Sequence, residues 1–269
     1  MTDPARAPLG VFDSGLGGLT VVRALRAALP SESIVYLGDT ARVPYGTRSA
    51  ETVVRYALGC ARVLTARKVK AIVVACGTVS SVALEALRVE LDLPVLGVIE
   101  PSADAAVAAA HGRKIGVLGT PGTIASGAYP RAISTRSEVV TQAAPLFVPL
   151  AEEGWLEGEV PRLAAERYLG PLVAAGARVL VLGCTHYPLL RPVIQAEADR
   201  LAGEPVTVID TGSAVAAEVS RFLAERERAA PSDATGSLEV LVTDLPKSFA
   251  EVAGRFLGEP VGEVHQIDL

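Results

Sequence analysis

The chain has 269 residues and a net charge of −5; half of its residues are hydrophobic, 20% are charged and 4% are aromatic. That length and apolar share suit one large domain or two small ones and exclude intrinsic disorder. The acidic balance, with no Lys/Arg cluster, excludes a general nucleic-acid binder. No apolar run approaches the roughly 20 residues that cross a bilayer.

Taken in chain order, short β-branched runs alternate with Ala-, Leu- and Arg-rich stretches. Residues 9–13 and 34–38 predict strands with a helix at 19–28 between them. A helix at 50–67 leads to a strand at 71–76 and a helical pattern at 79–90. Strands at 94–98, 114–119 and 138–143 follow, then a helix at 163–174 and a strand at 179–184. A strand at 206–210, a helix at 214–226, a loop at 229–237 and a strand at 238–243 complete the series. Most of the strands are near-continuous apolar runs, the pattern of parallel strands covered on both faces. The alternation predicts a doubly wound α/β fold.

The chain also repeats itself loosely. Ile72-Val-Val-Ala-Cys-Gly-Thr78 is echoed by Leu180-Val-Leu-Gly-Cys-Thr-His186, and Phe12-Asp-Ser-Gly15 by Ile209-Asp-Thr-Gly212. These echoes predict two similar halves facing each other across a cleft.

Ligands of open α/β sheets bind outside the carboxyl ends of the strands. Polar residues at such ends here are Asp13, Ser14, Asp39, Cys76, Thr78, Thr120, Cys184, Thr185, His186 and Asp210. The three cysteines, at 60, 76 and 184, form neither a disulfide framework nor a clustered metal site, so no metal is expected. Cys60 sits in the middle of a helical pattern and fits buried filler. Cys76 alone fits filler or a working base equally well; its match with Cys184 favours function. Each precedes a helix-like segment, whose backbone N–H groups are expected to lower a thiol pKa. His186 is a candidate proton partner for Cys184 or a ring that fixes the turn. His111 and His265 have no neighbours that suggest a role.

Gly15-Leu-Gly-Gly18 departs from the dinucleotide-binding pattern and fits a tight turn whose N–H groups approach a carboxylate or phosphate. There is no phosphate-binding Gly-Lys-Ser/Thr, and none of the four lysines has a pyridoxal-phosphate setting. No cofactor is expected. The start of the chain has no hydrophobic secretory segment, so a cytoplasmic location is expected.

Five segments in order resemble the glutamate racemase family: Gly10-Val-Phe-Asp-Ser-Gly-Leu-Gly-Gly-Leu-Thr20, Gly38-Asp-Thr-Ala-Arg-Val-Pro-Tyr-Gly46, Val98-Ile-Glu-Pro101, Pro145-Leu-Phe-Val-Pro-Leu-Ala-Glu-Glu-Gly154 and Gly183-Cys-Thr-His-Tyr-Pro-Leu-Leu190. The resemblance implies that Cys76 and Cys184 are the two acid/base catalysts. Asp13 would assist Cys76, and Glu152 with His186 would assist Cys184. Ser14, Pro44, Tyr45, Gly46, Gly77, Thr78, Thr123 and Thr185 would hold glutamate. It also implies a first α/β domain at 1–99 plus 208–269, a second at 100–207, a homodimer and a supply of D-glutamate for peptidoglycan.

Two positions in one loop depart from the family: Val79 stands in place of the usual Ala, a small change, and Gly77 matters more. Gly77 stands where Asn is usual, which removes a side-chain donor and loosens the loop. Losing one hydrogen bond to a charged group costs about 1.5–3 kcal/mol. This keeps two alternatives open: an aspartate racemase-like carbon-acid enzyme, and a catalytically weakened glutamate-binding regulator.

Overall fold

The computed structural model describes residues 4–269. The first three residues, part of the predicted first domain and of the start without a secretory segment, lie outside the described residues.

Among the described residues ten strands form: β1 (Leu9–Asp13), β2 (Ile34–Gly38), β3 (Ala71–Val74), β4 (Val95–Gly97), β5 (Lys114–Gly119), β6 (Val139–Ala143), β7 (Ala177–Leu182), β8 (Thr207–Asp210), β9 (Leu238–Val242) and β10 (Val264–Gln266). They make two sheets, in the orders β10-β9-β2-β1-β3-β4 and β6-β5-β7-β8. Every pairing is parallel.

Apolar continuity has the cause proposed from sequence. Successive side chains of a strand point to opposite faces. Leu9, Val11, Ala71 and Val73 enter one core, while Phe12, Ile72 and Val74 enter a second. A strand with both faces covered has no solvent face on which to place polar residues. Helix Ala50–Ala66 covers the second core with Val53, Ala57, Cys60, Ala61 and Leu64, a stripe at helical spacing. Helix Leu19–Ala28 covers the opposite face and packs against helix Thr211–Glu225.

The two sheets share a local plan. In each, the first strand is central, the second lies on one side, and the third and fourth lie on the other: β2-β1-β3-β4 and β6-β5-β7-β8. The cysteine echo therefore links equivalent third strands, β3 and β7. The Phe12/Ile209 echo links a first strand to a fourth, so it does not follow this plan.

Several elements differ from the sequence reading. The helical pattern at 79–90 begins two residues earlier and splits at Ala83 into Gly77–Val82 and Leu84–Glu90. Helix Glu159–Ala174 starts ahead of its predicted start at 163, directly after Gly158 at φ +94. Helices Ile99–Ala110 and Arg191–Ala202 carry weak apolar periodicity and stand beside the predicted set. No helix among the described residues is long and apolar enough to cross a membrane.

Candidate active site

Cys76 leaves β3 and caps helix Gly77–Val82, whose Ser80 N–H donates to the Cys76 carbonyl at 2.9 Å. Cys184 leaves β7 and opens a tight turn, closed by the Tyr187 N–H donating to its carbonyl at 3.1 Å. A short 3-10 turn, Tyr187–Leu190, comes next, so His186 rather than Cys184 stands at the cap position.

Both cysteines line one cavity of about 270 Å³. Its walls come from segments that follow β1, β2, β3, β5, β6 and β7, all at carboxyl ends of strands. Ser14, Pro44, Tyr45, Gly46, Gly77, Thr78, Thr123, Glu152, Thr185 and His186 line it as well. Asp13 does not; it is buried at 1% exposure.

The two thiols have different surroundings. Cys76 Sγ donates to Ser14 Oγ at 3.4 Å. Burial pushes this thiol up to about 12, and the charge of Asp13 adds to the push; Ser14 and the Val79 N–H oppose it, and Cys184 adds a further upward effect. The lowered thiol expected at a helix start is thus overturned at Cys76, because loss of water outweighs one short helix terminus. Asp13 is itself raised by burial, against the charge of His186 and the N–H groups of Gly18, Gly15 and Ser14. Its Oδ2 accepts from the Gly15 N–H at 3.2 Å, while Oδ1 has no partner among the described residues.

On the Cys184 side, His186 Nδ1 lies 3.8 Å from Cys184 Sγ and its Nε2 lies 2.9 Å from Glu152 Oε1. Burial alone would favour the neutral ring. Hydrogen bonds to Cys184 and Glu152, with the charges of both, raise His186 to about 10. The ring is also fixed edge-on to Phe256, with centroids 5.0 Å apart.

Three hydroxyls meet in the wall. Thr78 Oγ1 is 3.0 Å from Thr120 Oγ1 and 3.4 Å from Thr123 Oγ1, and the latter two are 3.0 Å apart. Thr120 was visible as a polar strand end, yet only the fold shows that it lines the cavity. Pro145, Val148 and Pro149 were also missed as wall residues; apolar side chains give no chemical signal in a sequence.

Two close approaches explain the glycines near the site. A Cβ on Gly17 would stand 2.3 Å from Thr185 Oγ1 and 2.5 Å from His186 Nδ1. The glycine turn after β1 therefore accommodates the Thr185-His186 turn; only Gly15 of that turn lines the cavity. A Cβ on Gly77 would stand 2.5 Å from the Gly183 carbonyl oxygen. Gly77 lacks a side-chain donor but lets the two cysteine loops approach closely, and it is buried.

Other strand-end and single residues are structural. Asp210 caps helix Thr211–Glu225 by accepting from the Ser213 N–H at 3.0 Å. Cys60 is fully buried in the helix core, and burial raises its thiol to about 12. His111 ends a helix at φ +46, and His265 lies in β10.

Two parallel sheets of like plan, with a cysteine after the third strand of each and both in one cavity, define an α/β protein with a shared two-cysteine cavity. Residues 19–219 match the family described as Asp/Glu/Hydantoin racemase, and the chain belongs to that family. The chain is 50% identical over 264 residues to the glutamate racemase of Geobacter metallireducens, covering 97% of this chain and 96% of that protein. Its structure is similar to that of glutamate racemase from Thermus thermophilus in complex with β-chloro-D-alanine, with a TM-score of 0.87 and 44% identity over 100% of this chain and 99% of that one. It is also similar to glutamate racemase from Francisella tularensis in complex with D-glutamate, with a TM-score of 0.89 and 33% identity over 98% of each chain.

Proposed function

We propose that this chain interconverts L- and D-glutamate without a cofactor, by two-base proton transfer between Cys76 and Cys184. The observation that carries the reading is that both thiols line one cavity of about 270 Å³ at equivalent strand ends, each with its own polar partner. Racemisation removes the Cα proton from one face and returns a proton to the other. One base reaches both faces only if the substrate turns over; two thiols across the cavity solve this directly.

The surroundings of the two thiols favour unlike roles. Cys76, raised by burial, stands ready as an acid. His186, raised to about 10 between Cys184 and Glu152, can offer an N–H to the Cys184 sulfur when that sulfur acts as the base, while Glu152 holds the ring from behind. Asp13 acts on Cys76 through its charge. Transfer in one direction leaves a thiolate at Cys76 and a thiol at Cys184, the state suited to the opposite isomer. Ser14, Thr78, Thr123, Thr185, Gly77 and the Pro44-Tyr45-Gly46 wall surround the substrate, and fixed N–H and hydroxyl dipoles stabilise the carbanion in a water-poor site.

The halves are read as 1–99 with 208–269 and as 100–207. The return crossing falls within β8, whose pairing with β7 carries the second sheet to Asp210. A cytoplasmic homodimer that supplies D-glutamate for peptidoglycan belongs to the same reading.

The test is circular dichroism of L-glutamate incubated with the purified chain, without pyridoxal phosphate. Optical rotation is expected to decay to zero. Aspartate run in parallel separates the aspartate racemase-like alternative, and glutamate binding without loss of rotation would support the regulator instead. Cys76→Ala and Cys184→Ala are each expected to abolish racemisation while still washing solvent deuterium into one enantiomer. Full racemisation by either variant contradicts the two-base scheme.

A further inference from the structure

Asp39, at the end of β2, takes no part in the proton transfer and does not line the cavity, yet it is fully buried. A buried carboxylate is retained only where its oxygens are paired. Here Oδ2 accepts from Arg42 Nε at 2.6 Å and from the Tyr45 hydroxyl, and Oδ1 accepts from Thr243 Oγ1 at 2.9 Å. Two of the three donors lie on the loop that leads from β2 to the cavity. The third lies just past β9, the neighbouring strand.

That neighbour holds the same loop a second time. The Thr243 hydroxyl, while donating to Asp39, accepts from the Ala41 N–H at 2.9 Å. Thr40 Oγ1 donates to the Asp244 carbonyl at 2.6 Å and accepts from the Asp244 N–H at 2.8 Å. Above the loop, the Arg42 guanidinium lies 4.2 Å from the centroid of the Tyr56 ring, which packs 5.4 Å from the Tyr45 ring. Tyr45, Gly46 and Thr47 form a 3-10 turn that packs on helix Pro121–Ala125, beside Thr120. This turn is therefore anchored to one sheet and rests on an element of the other, with the cavity between.

We propose that Asp39 is a positioning residue for substrate binding: by holding Arg42, Tyr45 and Thr243 at once, it fixes the loop 40–47 so that Tyr45 and Gly46 form their part of the cavity wall before substrate arrives. This rests on the glutamate reading for its substrate, but the loop ordering it asserts does not. A pre-ordered wall binds ground state and transition state alike, so its loss raises KM more than it lowers kcat.

The experiment compares Asp39→Asn with the wild-type chain in two arms. Hydrogen exchange, which needs no turnover, is expected to speed up over residues 40–47 while β1 and β3 keep their protection. In racemisation of L-glutamate, KM is expected to rise about tenfold with kcat within about twofold, the pattern of lost uniform binding. Should Asp39→Asn fail to fold, Tyr45→Phe and Thr243→Val each remove one donor and are expected to raise KM in the same sense. With Asp39→Asn folded, Tyr45→Phe placed on top of it should add less than it does alone, because the Tyr45 contact is one of the three that the Asp39 change weakens. Unchanged exchange over 40–47 overturns the proposal, as does a uniform loss of protection with kcat falling and KM constant. An inactive wild-type chain overturns the glutamate reading instead and leaves the exchange arm to decide the clamp.

Discussion

Between Glu152 and Cys184, the His186 ring keeps its proton to about pH 10, well above its usual value near 6.5. A group whose pKa is raised by folding contributes stability that is fully present below its unfolded value and is lost as pH rises through the folded one. The His186 contribution is thus present below about pH 6.5 and disappears toward pH 10. Cys76 has the same sign in a higher window, from its ordinary 9.0 up to about 12. Between pH 6.5 and 9 the two separate. Urea unfolding of the wild-type chain is expected to lose stability across that range relative to His186→Gln, so that the difference between them shrinks. A difference that stays constant or grows places the proton elsewhere. The residue scale also shows what a sequence motif omits: Cys76 and Cys184 look alike in the chain, and only their neighbours, Ser14 and Asp13 against His186 and Glu152, make them unlike.

At the scale of elements, the turn between β1 and helix Leu19–Ala28 is the tightest constraint on the site. Thr20 Oγ1 donates to the Gly17 carbonyl and the Thr185 carbonyl, both at 2.9 Å, which stitches the two strand-end turns together. Gly17→Ala places a methyl where Thr185 and His186 stand. Displacements of about 1 Å at a catalytic group cost up to a hundredfold in rate. Gly17→Ala is expected to lower kcat/KM by about that factor while circular dichroism in the far ultraviolet stays native; activity within twofold of wild type contradicts the close approach. Elements themselves were well marked in the chain. The strands at 9–13, 34–38 and 114–119 form with those bounds, since each is an apolar run ended by a turn residue. Helix Ile99–Ala110 was not marked, because its Ala-rich sequence has no sharp apolar stripe. Its position is decided by packing against helices Ala128–Ile133 and Thr211–Glu225.

On the scale of the whole molecule, the site exists only where both sheets present their carboxyl ends to one space. A ligand that binds there favours the folded chain by mass action, by about 2.7 kcal/mol at a hundredfold excess over its Kd. Saturating D- or L-glutamate is therefore expected to raise the thermal midpoint of the Cys76→Ala chain, and of Cys184→Ala likewise. Absence of any shift at high glutamate, with both variants folded, argues against the cavity as the glutamate site.

Sequence by itself determined the alternation of strand and helix, the parallel sheets and the paired cysteines at strand ends. These are local signals: apolar runs, turn residues, and polar side chains at strand ends. Tertiary structure alone decided that Asp13 stands behind the wall while Thr120 stands in it, that burial raises Cys76, and that Gly17 and Gly77 are spacers between loops. Each of those depends on which surfaces meet and how much water is excluded between them, and neither quantity is written in the order of residues along one strand.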